Sequence, residues 1–218
     1  MEQHDGRRAR GDASRRLVLD RAVDLASVEG LDGLSIGRLA EAAEVSKSGV
    51  ATLFGSKERL QLAAVDAAAE RFTRVVIEPA RVEPRGVRRI VALVDRWIAY
   101  SRDRVFPGGC FFAAAAAEFD AKPGPVRDAL SRALDSWSGY LAASYGYAVA
   151  QGELEGDPAQ FAFEATALLD AANTRSVMSG SSEPYVYARR ALVARLAAAG
   201  AEPAVLERLA EVDDRVLA

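Results

Sequence analysis

Between Ser35 and Lys57 the chain reads SIGRLAEAAEVSKSGVATLFGSK, and its apolar positions form two short runs separated by an interruption. Ile36, Leu39, Ala40 and Ala43 recur at the spacing of one helix face. Glu44 and Val45 break the run, and a second one opens at Ser46 with Val50, Leu53 and Phe54 expected to face inward. The pattern predicts a helix-turn-helix. Helices this short cross at about 90–120° only where the contact residue is small. Ala40 fits that place, Val45 is expected to plug the turn, and Val50 to pack the second helix onto the first. Ser46 is suited to cap the second helix, its hydroxyl accepting from an otherwise unpaired N–H near Ser48 or Gly49.

Helical periodicity continues on both sides. Residues 14–29 predict a first helix with a stripe of Leu17, Val18, Ala22, Leu25 and Ala26, ended by Gly30. Ser35 is placed to cap the second helix. Gly55 and Ser56 end the third, and Ser56 caps a long fourth helix over 57–78. We place the domain division inside that helix, with residues 1–60 before it and 61–218 after it. Pro79 and Pro84 break the pattern. A fifth helix is expected over 86–104, with Ile90, Leu93, Val94, Trp97, Ile98 and Tyr100 on its apolar face. Phe106-Pro-Gly-Gly-Cys-Phe-Phe interrupts again, and a short Ala-rich helix over 111–119 follows. Further helices are expected over 125–151, 158–178 and 183–199, with a short terminal one within 203–217. Strand-type alternation is missing from the sequence, so the expected fold class is all-α.

Composition narrows the chemistry. Half of the 218 residues are hydrophobic, enough for a real core. No apolar run reaches the ~18 residues that span a bilayer, and the N-terminus is polar, which leads to an expected cytoplasmic location. Cys110 is the single cysteine and His4, in an expected loose tail, the single histidine. An intramolecular disulfide, a Cys-rich metal site and a histidine-based triad are thereby excluded, and no cofactor is expected. The net charge of −3 argues against a general nucleic-acid coat, yet Arg7, Arg8, Arg10, Arg15 and Arg16 face only Asp12 in the same tract. Such a tract reads either as a solvated tail or as a phosphate-contacting arm. Its place directly before a helix-turn-helix favours the arm. Of the lysines Lys47, Lys57 and Lys122, the first two lie in the helix-turn-helix segment.

The preceding amphipathic helix, the connection Gly-Leu-Asp-Gly-Leu-Ser at 30–35 and the junction Phe-Gly-Ser-Lys-Glu at 54–58 make this segment resemble the DNA-binding domain of the tetracycline-repressor (TetR) family. Pro-Gly-Gly-Cys-Phe at 107–111, Glu118-Phe-Asp and Pro-Gly-Pro-Val-Arg at 123–127 are similar to one branch of it. The resemblance implies that the third helix enters the major groove of DNA. Lys47, Ser48 and Thr52 match positions that reach bases or phosphates, and Lys and Thr are chemically able to read base edges. Ser35, Gly49 and Lys57 match positions that touch the DNA backbone. Arg38, exposed on the second helix, is a further phosphate candidate or a solvated charge. Two departures stand out: Ala51 and Leu53 replace the aromatic and histidine common in the family, and neither can hold a phosphate. Glu44 stands where glycine is frequent, and a left-handed backbone there would cost about 1 kcal/mol.

For the remainder, the resemblance implies a helical domain that holds a small apolar or amphipathic effector and dimerises. Trp97, Tyr100, Phe106, Cys110, Phe111, Trp137 and Tyr140 are its candidate lining, although aromatics on central helices also simply make core. Cys110 reads either as an oxidant sensor or as an inert buried thiol. The helices within 158–199, with Phe161, Phe163, Leu168, Leu169, Tyr185, Tyr187, Leu192 and Leu196, are expected to carry apolar surface for a two-fold homodimer. Two recognition helices would then meet half-sites of a palindrome-like operator about 34–36 Å apart, or a multiple of that. The function expected is a DNA-binding regulator, a repressor released by a small ligand, and not an enzyme. The rival is an all-α carrier or enzyme whose hairpin is structural, with Glu118 and Asp120 as its remaining carboxylate pair.

Overall fold

Helix N-caps and glycine breaks set the element order. The structure, a computed structural model, describes residues 2–210. The helices are α1 (Glu2–Glu29), α2 (Ile36–Ala42), α3 (Lys47–Phe54), α4 (Lys57–Phe72), α5 (Glu78–Ala80), α6 (Val87–Arg102), α7 (Phe111–Phe119), α8 (Pro125–Ala150), α9 (Pro158–Ser179), α10 (Glu183–Ala198) and α11 (Pro203–Ala210). No strand occurs among the described residues, and the fold is all-α. Three expectations shift. The first helix begins at Glu2 instead of the expected residue 14, so the backbone of the arginine tract, which reads as a tail or an arm before the helix, is itself helical. The fourth helix runs to 78 as expected but is not α-helical throughout: after Phe72 the chain widens into a π-helical turn, Thr73–Ile77, before the α turn Glu78–Ala80. Pro79 supplies no N–H to the preceding turn, and the Glu78 N–H reaches back to the Thr73 carbonyl in the wider π pattern. The terminal helix is seen over Pro203–Ala210, and residues 211–217 of that expectation lie outside the described residues.

The helices gather into two compact units. The first runs through Glu70 and includes Phe106–Ser131; the second comprises Arg71–Val105 and the chain from Arg132 onward.

In the first unit, Val18, Ala22, Val23 and Ala26 of α1 are buried with Leu31, Leu34, Leu39, Ala40, Val50, Phe54 and Leu60. Leu17, expected in the stripe, is exposed, and Val23, not expected there, is buried. The later segment completes this core. Phe106, Phe111 and Phe112 are buried, with ring centroids 5.8 and 5.3 Å apart in sequence order. α7 packs on α1. The Gly108 N–H donates to Ser27 Oγ at 3.1 Å, and a Cβ on Gly108 would stand 1.8 Å from the Ser27 carbonyl oxygen. Only glycine lets the two backbones approach so closely. Glu118 Oε1 and Oε2 accept from the N–H groups of Leu31 and Asp32 at 3.0 and 2.8 Å, fixing the α1–α2 connection. Gln61 Nε2 donates to the Leu31 carbonyl from the other side, at 2.9 Å.

In the second unit the expected α6 face, Ile90 through Tyr100, is buried. A buried polar group joins α6, α9 and α10: Ser101 Oγ lies 2.8 Å from Asn173 Oδ1 and 2.7 Å from the Tyr185 hydroxyl. Such satisfied groups fix register where apolar packing alone leaves it loose. Arg189, 4% exposed, pairs with Asp95 at 3.0 Å. Phe161, Leu169, Tyr185, Leu192 and Leu196, expected as surplus apolar surface, are core of this unit. The exposed face of α9 instead carries Phe163, Ala167, Ala171, Thr174 and Met178 at helical spacing, and Tyr187 is exposed on α10. No helix among the described residues is long and apolar enough to cross a membrane.

Candidate nucleic-acid interface

α2 and α3 are each capped by a serine. Ser35 Oγ accepts from the Arg38 N–H at 3.2 Å, and Ser46 Oγ from the Gly49 N–H at 3.1 Å. The turn between them closes through the Val45 N–H donating to the Ala40 carbonyl at 3.0 Å. Ala40 and Val50 are buried where the helices meet, at 3% and 0% exposure. Val45 does not plug the turn: it is exposed, because its neighbour Glu44 adopts a left-handed backbone with φ of 55° that turns the next side chain outward.

The outer face of α3 presents Lys47, Ser48, Gly49, Ala51 and Thr52, all exposed. Lys47 forms no ion pair among the described residues, so its charge is uncommitted. Ser48 Oγ is 3.2 Å from Ser46 Oγ. Thr52 Oγ1 donates to the Ser48 carbonyl at 2.8 Å, which leaves its lone pairs and methyl group facing out. A thymine methyl and a base-edge donor are suitable partners for such a group. Ser48, Gly49, Thr52 and Leu53 share a shallow groove with Ser14 and Val18 of α1.

The two other basic candidates are already engaged. Arg38 Nη2 lies 2.6 Å from Glu29 Oε1, its Nε also donates to Glu29, and Nη1 is 3.3 Å from Glu41. That guanidinium holds the Glu29 carboxyl below the ordinary carboxylate range, and Glu29 in turn raises the Arg38 pKa. Lys57 Nζ lies 3.2 Å from Asp32 Oδ1, with Lys122 Nζ 2.9 Å from Oδ2. Lys122 first and Lys57 second lower the Asp32 pKa. Exposed pairs of this kind are weak and exchange readily for a phosphate. Ser56 Oγ caps the first turn of α4, accepting from the Arg59 N–H at 3.2 Å, so Lys57 sits beside free helix-end N–H groups.

Sequence reasoning missed the role of Arg15. Its Nη1 donates to the Leu53 carbonyl at 2.7 Å and its guanidinium lies over the Phe54 ring, 4.7 Å from the centroid. A cation at the C-terminal turn of α3 meets the negative end of that helix. The arginine therefore braces the helix from behind. The only sequence signal was an arginine one turn before Val18.

The seven candidate lining residues fall in different units. Phe106, Cys110 and Phe111 are buried in the first. Trp97, Tyr100, Trp137 and Tyr140 belong to the second, where Phe72 lies edge-on to Tyr100 and Trp137 at 5.3 and 5.2 Å. Glu118 and Asp120, considered as a catalytic pair, both hold backbone: Asp120 Oδ1 accepts from the Ala121 N–H at 2.6 Å.

Two family models match the chain: "Bacterial regulatory proteins, tetR family" over residues 18–64, and "Tetracyclin repressor-like, C-terminal domain" over residues 86–192. No curated protein matches the sequence. Among solved structures, a TetR transcriptional regulator from Chloroflexus aurantiacus is 26% identical, covering 84% of this chain and 94% of its own, with a TM-score of 0.79. A TetR-family regulator from Cytophaga hutchinsonii shares the fold at 20% identity, with 88% and 98% coverage and a TM-score of 0.76. The regulator AibR, solved with isovaleryl coenzyme A and operator DNA, shares it at 20% identity, with 74% and 86% coverage and a TM-score of 0.63. With its capped helix-turn-helix inside the first match and helices α6 to α9 inside the second, the chain belongs to the TetR family of transcriptional regulators.

Proposed function

We propose that this regulator acts as a homodimeric repressor whose operator binding is relieved by a small ligand. The observation that carries the reading is the outer face of α3, with uncommitted Lys47, Ser48 and outward-facing Thr52 on a helix braced by Ser46 and Arg15. Ser35, Gly49 and Lys57 position the domain on phosphates, Lys57 exchanging Asp32 for DNA. Arg38 contributes less, because Glu29 holds it at both Nε and Nη2 and Glu41 at Nη1, whereas Lys57 has one contact to an Asp32 that Lys122 also neutralises. DNA contact is the work of residues 1–60, and ligand binding and dimerisation that of 61–218. AibR supports the ligand half: a protein of this fold is known with both an acyl coenzyme A and operator DNA. The aromatic residues Trp97, Tyr100, Trp137 and Tyr140 suit the apolar part of such a ligand, with a coupling of about 1–3 kcal/mol sufficient to switch affinity.

Titration of a fluorescent duplex carrying the upstream intergenic DNA of its own gene tests the DNA half. Wild type is expected to survive unlabelled competitor, and Lys47→Ala and Thr52→Ala to lose roughly fivefold or more in affinity, about 1–3 kcal/mol each. Equal binding by wild type and both variants would refute the assignment.

A further inference from the structure

In the second unit, the turn after α5 and the C-terminal half of α8 form an open groove of about 520 Å³ lined by Arg81, Arg85, Arg89, Tyr140, Ser144 and Tyr147. Each outer arginine is seated on a tyrosine. The Arg81 guanidinium lies 5.7 Å from the Tyr140 ring centroid, with Nε 3.4 Å from the hydroxyl. The Arg85 guanidinium lies 4.6 Å from that of Tyr147, with Nη1 donating to the hydroxyl at 2.9 Å. Arg89 is fixed differently, donating from Nε and Nη2 to the Glu83 carbonyl and from Nη2 to that of Arg81. Stacking and these bonds pre-order the three side chains while leaving other N–H groups of Arg81 and Arg85 open.

No carboxylate is among the lining side chains of the described groove; Glu83, in the same turn, contributes its backbone carbonyl. Three like charges held together in one concave site are unfavourable until an anion enters. A monocarboxylate would leave most of that charge uncompensated, whereas phosphate accepts the planar guanidinium fork at several oxygens. The volume lies in the small-molecule range of about 300–1,000 Å³. We propose that this groove binds the phosphate groups of a small organic phosphate. The inference stands independently of operator binding.

Isothermal titration calorimetry of the full chain, at fixed ionic strength, with inorganic pyrophosphate, ADP and adenosine tests it. Pyrophosphate and ADP are expected to bind saturably and adenosine not to bind. Arg81→Ala and Arg85→Ala should each weaken ADP by about tenfold or more, as loss of a forked contact does. Arg88→Ala, an exposed neighbour outside the groove, should change it by less than about twofold. Unchanged thermal melting of the variants keeps the comparison one of binding. No saturable heat from either phosphate, adenosine binding as tightly as ADP, or equal losses at Arg81, Arg85 and Arg88 would each overturn the proposal.

Discussion

Glu44 carries a backbone conformation that its side chain resists. At φ of 55° its Cβ crowds the following carbonyl, a cost of about 1–2 kcal/mol that glycine avoids. Glu44→Gly is therefore expected to stabilise the chain, less the greater freedom glycine gives the unfolded state, for a net gain of about 0.5–1 kcal/mol. A rise in the urea midpoint checks this, and operator affinity should stay unchanged because Glu44 is not on the outer face of α3. The left-handed turn was legible from the family pattern at this position. Its effect on Val45 was not, because periodicity assigns faces within a helix and does not describe the residue that leaves a left-handed turn.

At the scale of elements, the serine caps at Ser35, Ser46 and Ser56 were legible because capping is local chemistry. Arg15 was not, since its partner is a backbone carbonyl on another helix and carries no sequence signature. The Pro-Gly-Gly-Cys-Phe segment was legible as a helix break, whereas its destination against the last turn of α1 was not. That contact leaves Gly108 without room for a Cβ. Gly108→Ala places a methyl 1.8 Å from the Ser27 carbonyl oxygen, a distance that only backbone movement relieves. A loss of about 1–3 kcal/mol is expected, the range for overpacking a tight contact, measured as a lower thermal midpoint. Gly139→Ala, with open space around its Cβ, serves as the control and should be neutral or slightly stabilising.

At the scale of the whole molecule, the exposed stripe of α9 is the surface on which the proposed homodimer is tested. Of the apolar residues expected to be surplus on these two helices, Phe163 and Tyr187 are exposed while Phe161, Leu169, Tyr185, Leu192 and Leu196 are core, because α9 and α10 are apolar on both sides and only packing shows which side the monomer consumes. Phe163 and Met178 remain 69% and 84% exposed, at opposite ends of one face. Exposed apolar rows of this length mark interaction surfaces. Phe163→Glu with Met178→Glu is expected to shift the protein from dimer to monomer in sedimentation at micromolar concentration, with operator affinity falling together with it, since one recognition helix then meets one half-site.

The tie between Glu118 and the α1–α2 connection bears on how such regulators are recombined. A DNA-reading head cut out at the end of α4 would leave the Leu31 and Asp32 amides without their carboxylate and α1 without Gly108 and the phenylalanines beside it. Grafting the specificity of this protein onto another regulator thus calls for a two-piece transplant, the N-terminal helices and residues 106–131 exchanged together, and a chimera joined at one seam would inherit a head that reads its operator from a loosened frame.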